Sequence, residues 1–268
     1  DDGTPIELPE GVLLLTCGVD VQDDRLEGEV VGWGHYQESW GIKKFIIQGD
    51  PSDDAPWLRL DGYLDHIYKF ENGRGLKIAI TLVDSGGHKT QEVYKQCRAR
   101  LNKRVFAVKG KGGEDVPYTK PPSKVDIVVN GRAIAKTHLY TIGVDAGKAA
   151  ILNGSLRVVE PGPKYCHFPK RDDAGYDYTY FAGLLSERQE LKVTNGRAKY
   201  QWVKLPGHER NEALDCRNYA TAALYILDPD MDMIERKIKE QNGQWPKQPE
   251  PVRRQRKVKR RSVYQDDW

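Results

Sequence analysis

The stretch LLLTCGVDVQDD, residues 13–24, contains an apolar run that ends on an acid, Asp20. Such a run is typical of a strand that is covered on both faces of a sheet. A second run, LKIAITLVDSGGH at residues 76–88, has the same form and ends on Asp84. A buried carboxylate costs several kcal/mol unless a partner, a proton or a metal neutralises it. The two strand ends therefore raise the question of what compensates their acids.

Composition limits the answers. The 268 residues are 38% hydrophobic, which is enough for one sizeable core, or one core and a small appendage. No run approaches the roughly 18 apolar residues of a membrane span, and the start does not have the form of a signal peptide. We therefore expect a soluble protein that nothing targets out of the cytosol. The spacing of the cysteines, with no CxxC pair, predicts four buried thiols and neither a zinc site nor a disulfide framework: Cys17, Cys97, Cys166 and Cys216.

The charge is unevenly distributed along the chain. The net charge is +3, but seven basic residues are crowded into RRQRKVKRR at residues 253–261, so the rest carries −4. We expect residues 229–268 to be a basic, disordered C-terminal tail. Such a block serves either as a solubility tail or as an arm that meets nucleic acid or an acidic partner protein. Residues 1–12 have the composition of a linker, and we expect the folded domain to span residues 13–228.

The order of the predicted elements changes from hairpins to alternating strands and helices. Three β-rich stretches with short connections predict an antiparallel meander over residues 13–50. A helix, the strand that ends at Asp84, a second helix and a short strand follow. The Gly- and Pro-rich residues 109–124 predict a mobile loop, and the pairs Asn130-Gly131 and Asn195-Gly196 predict two late hairpins.

A third acid, Asp215, lies in the last strong helix pattern, RNEALDCRNYATAALYIL at residues 210–227. The spacing places it on one helical face with Tyr219, Ala222 and Ile226. Because this face is apolar, we expect the carboxylate of Asp215 to leave the helix on the side that packs against the sheet. The Asp-Pro pair that follows the pattern predicts the end of the helix.

If the strands that end at Asp20 and Asp84 are parallel neighbours, both acids lie at one edge, and the late helix can add Asp215. One or two hard divalent cations would relieve the repulsion among three carboxylates. Two Mg²⁺ or Mn²⁺ ions roughly 4 Å apart can activate a water and stabilise the leaving 3′ oxygen of a phosphodiester. Alternatively, each Asp is a turn former or a helix cap, or Asp215 pairs with Arg210 or Arg217.

Four stretches together resemble one known family: LTCGVDVQDDRLEGEVVGWG, LVDSGGHKTQEVYKQCR, VFAVKG and RNEALDCRNYATAAL. They are similar to the C-terminal nuclease domain of the lambda-type phage terminase large subunit, a DNA-packaging motor protein. The likeness runs from about Leu13 to Leu227. It implies an RNase H-like α/β fold: a central mixed sheet, flanked by helices, whose first three strands form an antiparallel meander and whose fourth runs parallel to the first.

The resemblance also implies an activity and its site. It implies two-metal hydrolysis of double-stranded DNA with Mg²⁺ or Mn²⁺, used to cut concatemeric viral genomes. Position by position, the catalytic and metal-binding acids would be Asp20 of GVD, Asp84 of VDSGG and Asp215 of EALD. These are the three acids that the strand and helix patterns single out.

The family's large subunit also carries an N-terminal ATPase, which the resemblance places before the linker at residues 1–12. This chain has no GxxxxGK[ST] phosphate loop, and GVDAGKAA at residues 143–150 only approaches one. The resemblance implies three partners: double-stranded DNA, the terminase small subunit, and the capsid portal, on which the basic tail would dock. It also implies action in the host cell cytoplasm.

Other residues near the predicted site are candidates for supporting roles. Glu212, one turn before Asp215, is a candidate metal ligand, although the helix dipole also favours Glu in a first turn. Next to the strand ends, His88 could orient a water or contact the scissile phosphate, and Lys109 could neutralise that phosphate. Asp23 and Asp24 are expected in a turn, and Asp145 is expected to cap a short helix. A phosphate-tracking rim could include Lys103, Arg104, Lys109, Lys111, Lys120, Lys124, Arg132 and Lys136.

Two other interpretations remain open from the sequence. One is another RNase H-like DNA phosphotransferase, of the resolvase or integrase type, which would use the same carboxylates on branched or end-joined DNA. The other is a non-catalytic docking module, in which the acids are structural and the tail binds a capsid protein.

Overall fold

The structure is a computed structural model that describes residues 6–194, 197–208 and 210–241. Its strands are β1 (Leu14–Val21), β2 (Arg25–Trp33), β3 (Ser39–Gln48), β4 (Tyr68–Lys69), β5 (Gly75–Leu76), β6 (Ile78–Asp84), β7 (Val105–Lys111), β8 (Ser123–Val129), β9 (Arg132–Gly143), β10 (Cys166–His167), β11 (Glu187–Thr194) and β12 (Arg197–Lys204). Its α-helices are α1 (Asp54–Asp65), α2 (Thr90–Ala99), α3 (Val144–Lys148), α4 (Tyr178–Leu184), α5 (Glu212–Leu227) and α6 (Met231–Gln241). Within the described ranges, no helix is both long and apolar enough to cross a membrane.

The main sheet is mixed, and its strand order is β10-β3-β2-β1-β6-β7-β9-β8. The strands β1, β2 and β3 pair antiparallel, as predicted for the meander. Next to β1, β6 runs parallel to it, and β7 and β9 continue in the same direction. This confirms the mixed sheet, with a strand parallel to the first, that the RNase H-like resemblance implies.

Helices cover both faces of the sheet. On one face, α1 and α2 pack against alternate residues of β1, namely Leu15, Cys17 and Val19. On the other face, α5 packs on β1, β2 and β6, and its Ala220 lies in one apolar cluster with Leu14. Successive side chains of a strand point to opposite faces of the sheet. Because helices cover both faces here, β1 is apolar on both of its faces.

The two ends of the domain differ from the prediction. Leu8 and Val12, expected in a linker, are buried in the main core, and Leu8 forms a bridge with Phe70. α6 lies within residues 229–268, which were predicted to be disordered. Its Met231 and Ile234 pack beside α5. The basic block on which the prediction of disorder rested lies in residues 242–268, which are outside the described residues.

The late hairpins follow the predicted pattern. Asn130 and Gly131 have φ angles of 49° and 76° between β8 and β9, as a type I′ turn requires. β11 and β12 also pair antiparallel. The Asn195-Gly196 pair between them lies outside the described residues. In the loop before β8, the Tyr118 hydroxyl donates to the Asn218 carboxamide oxygen on α5 (2.9 Å), which attaches this predicted mobile loop to the core.

Candidate metal centre

Asp20 and Asp84 lie at the same edge of the main sheet. β1 and β6 are parallel neighbours, and Val19 is paired with Val83. Asp20 and Asp84, the next residue of each strand, therefore lie side by side. Both acids also lie on the same face. Asp84 and Leu82 are two residues apart on β6, so their side chains point to the same face of the sheet. Leu82 lies in one apolar cluster with Tyr219 of α5. The expectation of parallel adjacent strands is therefore correct, and both acids lie on the face that α5 covers.

The N-terminal part of α5 reaches this edge because Gly18 allows a close approach. A Cβ at Gly18 would lie 2.1 Å from the Cys216 carbonyl oxygen and 2.6 Å from the Ala220 nitrogen. Only glycine can occupy this position of β1 while the helix lies directly on the strand. The first turn of α5 contains Asp215, which is thereby placed beside the two strand acids.

The three carboxylates have raised pKa values. Burial, and then the negative charge of Asp215, raise the pKa of Asp20 to about 7. Burial raises the pKa of Asp215 to about 6, although the charges of Lys148 and Lys204 act in the opposite direction. Burial also raises the pKa of Asp84, and its backbone and side-chain hydrogen bonds oppose the shift. A raised carboxyl pKa means that the ionised form is incompletely compensated.

Each acid is oriented by hydrogen bonds from uncharged groups. The Gln22 carboxamide donates to Asp20, and the Gly86 N–H donates to Asp84 (3.0 Å). A hydrogen bond from the Tyr219 side chain also lowers the pKa of Asp84, and the sequence had placed Tyr219 on the helical face of Asp215. These contacts hold the carboxylates in place without neutralising them.

The alternative in which Asp215 pairs with Arg210 or Arg217 is wrong. Arg210 pairs with Glu27 and Glu212, and Arg217 pairs with Glu29. Neither guanidinium is therefore committed to Asp215, which accepts instead from the Asn211 carboxamide nitrogen at 3.0 Å.

The donor set fits a hard divalent cation. All three acids offer carboxylate oxygens, which Mg²⁺ and Mn²⁺ prefer. In the part of the chain that the structure describes, no three His, Cys, Asp or Glu side chains converge closely enough to ligate one ion together. The acids are therefore neighbours at one edge rather than a closed cage.

Glu212 is held by arginines. Its Oε1 lies 2.8 Å from the Arg25 guanidinium and its Oε2 lies 3.4 Å from that of Arg210. Its negative charge helps to raise the pKa of Asp20, after burial and Asp215. A role as metal ligand would require one of these ion pairs to break and stays a prediction.

The residues predicted to contact DNA lie at different distances from the acids. Lys109 is exposed on β7, and its charge acts to lower the pKa of Asp84. His88 is exposed, with its Nδ1 3.4 Å from Asp23 at the turn that follows β1. Lys111 ends β7, whereas Arg132 lies at the tip of the β8–β9 hairpin. The structure therefore brings Lys109 near Asp84, whereas Arg132 lies at the opposite end of β9 from Thr141, the residue that pairs with Lys109.

Asp145 does not cap a helix. It lies inside the first turn of α3, after the N-cap residue Gly143, and its Oδ2 accepts from the Gly113 N–H at 2.8 Å. Lys148 and Glu187, which no sequence pattern predicted as site residues, form a buried ion pair next to Asp215. Lys148 belongs to GVDAGKAA, which only approaches a phosphate loop, and Glu187 lies in no recognisable motif. The two residues are 39 positions apart, so no local signal could have identified the pair.

Comparisons with known proteins support the resemblance. A family model, described as terminase large subunit gpA, endonuclease domain, matches residues 3–237. The terminase large subunit of Escherichia phage lambda is 36% identical over 222 residues, which cover 82% of this chain and 33% of that protein. The terminase large subunit of Enterobacteria phage P21 is 30% identical over 223 residues, with the same coverage of 82% and 33%.

Among solved structures, the nuclease domain of the g2p large terminase of bacteriophage SPP1 with bound Mn is similar at a TM-score of 0.34 and 11% identity. The similarity covers 77% of this chain and 84% of that one. The chain spans about a third of the length of the lambda and P21 relatives. The family model covers most of the chain, and the predicted family is confirmed: the chain belongs to the endonuclease-domain family of the terminase large subunit gpA.

Proposed function

We propose that this chain is a metal-dependent endonuclease that cuts double-stranded DNA by two-metal phosphodiester hydrolysis, with Asp20, Asp84 and Asp215 as the metal ligands. One observation carries the proposal: three acids with raised pKa values lie at one edge and on one face of the sheet. Structural acids at these positions would be expected to have nearby arginines as partners, but Arg210 and Arg217 pair elsewhere.

The chain's own residues would divide the work. Bound Mg²⁺ or Mn²⁺ ions would activate a water and stabilise the leaving 3′ oxygen. The charges of Asp215 and Asp84 both act on Asp20, so the three carboxylates would hold the ions together. Gly86 and Tyr219 orient Asp84, and Asn211 orients Asp215. Lys109 would attract the scissile phosphate beside Asp84.

The natural substrate and partners follow from the family. The relatives are terminase large subunits, so we propose that the DNA is a concatemeric viral genome, cut during packaging in the host cytoplasm. The partners would be the terminase small subunit and the capsid portal. The exposed Lys109 and Lys111 would contact the DNA backbone and give binding that weakens as salt rises. The basic block at residues 253–261, the proposed portal contact, lies outside the described residues.

The test is cleavage of supercoiled plasmid by the purified chain with Mn²⁺, Mg²⁺ or EDTA. We expect cutting that requires metal and is lost in Asp20→Ala, Asp84→Ala and Asp215→Ala. The matched control is Asp126→Ala, because Asp126 is an exposed acid on β8 that pairs with Lys136 (3.4 Å) and should be dispensable for cutting.

Two results would overturn the proposal. If the wild type does not cut and calorimetry shows no metal binding, the acids are structural and the docking module becomes the better account. If the wild type cuts branched or end-joined DNA in preference to linear duplex, the chemistry stands but the substrate is that of a resolvase or integrase.

A further inference from the structure

A chain of buried and partly buried polar contacts ends on Asp215. The Nζ of Lys148 lies 2.8 and 2.7 Å from the two carboxylate oxygens of Glu187. The Oε1 of Glu187 also accepts from the Asn211 carboxamide nitrogen at 3.0 Å. The same nitrogen donates to Asp215 Oδ2 at 3.0 Å. Side chains from the end of α3 and the start of β11 are thus connected through Asn211 to the first turn of α5.

Asn211 uses its side chain in an unusual way for its position. It is the N-cap residue of α5, where Asn normally accepts a hydrogen bond from the helix backbone through its oxygen. Here it makes no capping hydrogen bond. Its NH₂ group has two donors, and each is directed to a carboxylate. Since carboxylates accept and do not donate, the nitrogen must be the atom that faces them.

The Lys148–Glu187 pair explains how a second carboxylate is tolerated beside Asp215. The side chain of Glu187 is only 5% exposed and that of Lys148 is 11% exposed, so the pair is largely shielded from water. A lone Glu187 would repel Asp215 and would be costly to bury. With Lys148 as counter-ion, its carboxylate becomes a fixed acceptor that orients the Asn211 carboxamide.

We infer that Asn211 is a positioning residue for the proposed metal centre, held in place by Glu187 and Lys148, and that it fixes the orientation of the Asp215 carboxylate toward a divalent cation. The inference rests on the proposed function. Contacts that orient a metal ligand in this way typically change metal affinity by about 10–100-fold when they are removed. Asn211 donates to Asp215, so its proposed effect on the ions passes through that carboxylate.

The experiment measures Mn²⁺ binding by titration calorimetry to the whole chain, after removal of metal with EDTA. Asn211→Ala keeps the Lys148–Glu187 ion pair and breaks no capping hydrogen bond, so we expect a folded variant whose Mn²⁺ affinity is about tenfold lower. The matched control is Asn153→Ala. The Asn153 carboxamide also donates to β11, at 3.2 Å to Gln189 Oε1, but it has no connection to the carboxylates. The Mn²⁺ affinity of Asn153→Ala should stay within about twofold of that of the wild type.

A second pair of variants separates positioning from packing. Glu187→Gln keeps a side-chain oxygen that can accept from Asn211, whereas Glu187→Ala removes the acceptor. We expect Mn²⁺ affinity to fall in the alanine variant and to be partly restored by glutamine. Urea unfolding in EDTA shows which variants remain folded.

The outcomes are distinguishable. If the wild type binds Mn²⁺ and cuts DNA while Asn211→Ala binds Mn²⁺ equally well, the positioning role is refuted and the proposed function stands. If the wild type neither binds Mn²⁺ nor cuts, both fall.

Discussion

Replacing Asp20 with Asn should stabilise the metal-free protein at alkaline pH. The side chain of Asp20 is almost fully enclosed, with the residue 5% exposed, and burial together with the charge of Asp215 raises its pKa to about 7. The folded state therefore holds a proton that the unfolded chain releases near pH 4. Stability of the metal-free protein must fall as pH rises between these values, because the folded state binds more protons than the unfolded state.

The magnitude follows from the size of the shift. Moving a carboxyl pKa from its ordinary value of 3.8 to about 7 costs about 4 kcal/mol once the group is fully ionised. About 2–3 kcal/mol of this cost appears between pH 5 and pH 8. Asn has almost the same shape and keeps an oxygen that accepts from Gln22, but it does not ionise. The stability difference between Asp20→Asn and the wild type should therefore grow by that amount over this interval.

The assay is urea unfolding in EDTA at pH 5 and pH 8. Asp50→Asn is the control of opposite sign, because hydrogen bonds from Ser52 and Lys89 lower the pKa of Asp50 to about 2. The stabilisation that the ionised Asp50 carboxylate provides is complete at both pH 5 and pH 8. Asp50→Asn should therefore lower the free energy of unfolding by the same amount at both pH values. Adding Mn²⁺ at pH 8 should stabilise the wild type, by about 2.7 kcal/mol at 100 times the Kd, and not Asp20→Asn. A stability difference for Asp20→Asn that is equal at pH 5 and pH 8 would refute the reasoning.

Further substitutions test the close approach of α5 to β1 and the buried ion pair of Arg217 with Glu29. Gly18→Ala should destabilise by about 1–3 kcal/mol and weaken Mn²⁺ binding, because the new Cβ forces α5 and Asp215 away from β1. Gly62→Ala, in α1 with open space around it, should instead stabilise by about 0.5–1 kcal/mol, and equal effects in urea unfolding would contradict this account. Arg217→Met should cost about 3–5 kcal/mol because it leaves buried Glu29 unpaired, and the double variant with Glu29→Gln should recover most of the loss. If the double variant unfolds as easily as the single one, the ion pair is not the cause.

The sequence predicts the parts of the site that follow from local periodicity. Two continuous apolar runs predict strands that are buried on both faces, each with an acid at its end, and the helical spacing around Asp215 predicts which side of α5 is buried. The resemblance supplied the strand order that brings Asp20 and Asp84 together. It would have been difficult to derive otherwise, because more than 60 positions separate the two acids and a strand's pattern does not specify its neighbour.

The remaining features depend on contacts between distant parts of the chain. Arg25 meets Glu212 across 187 positions, and Asn211 joins Glu187 to Asp215. The apolar residues of the N-terminal segment are too few to show a period, so burial of Leu8 was not predictable from local pattern. A disordered tail after residue 228 was predicted because the composition was taken over residues 229–268 together, which combines α6 with the basic block that follows it.

The face of the sheet that holds the three acids does not lack cations. Asp20 is paired in the β1–β2 register with Glu27, and the two buried acids have opposite pKa shifts. Although burial acts to raise the pKa of Glu27, the charge of Lys44 and a hydrogen bond from Arg25 hold it below its ordinary value.

The fold thus compensates the acid on β2 and leaves the acid opposite it on β1 incompletely compensated. A structural role for Asp20 would be served as well by a partner like that of Glu27, since Lys44 and Arg25 already lie on neighbouring strands. Compensation is also incomplete at Asp84 and Asp215, where the charges of Lys109, and of Lys148 and Lys204, oppose the raised pKa values only in part. This would suit the proposed divalent cation, because a lysine or arginine held directly against these carboxylates would compete with the cation for the same oxygens.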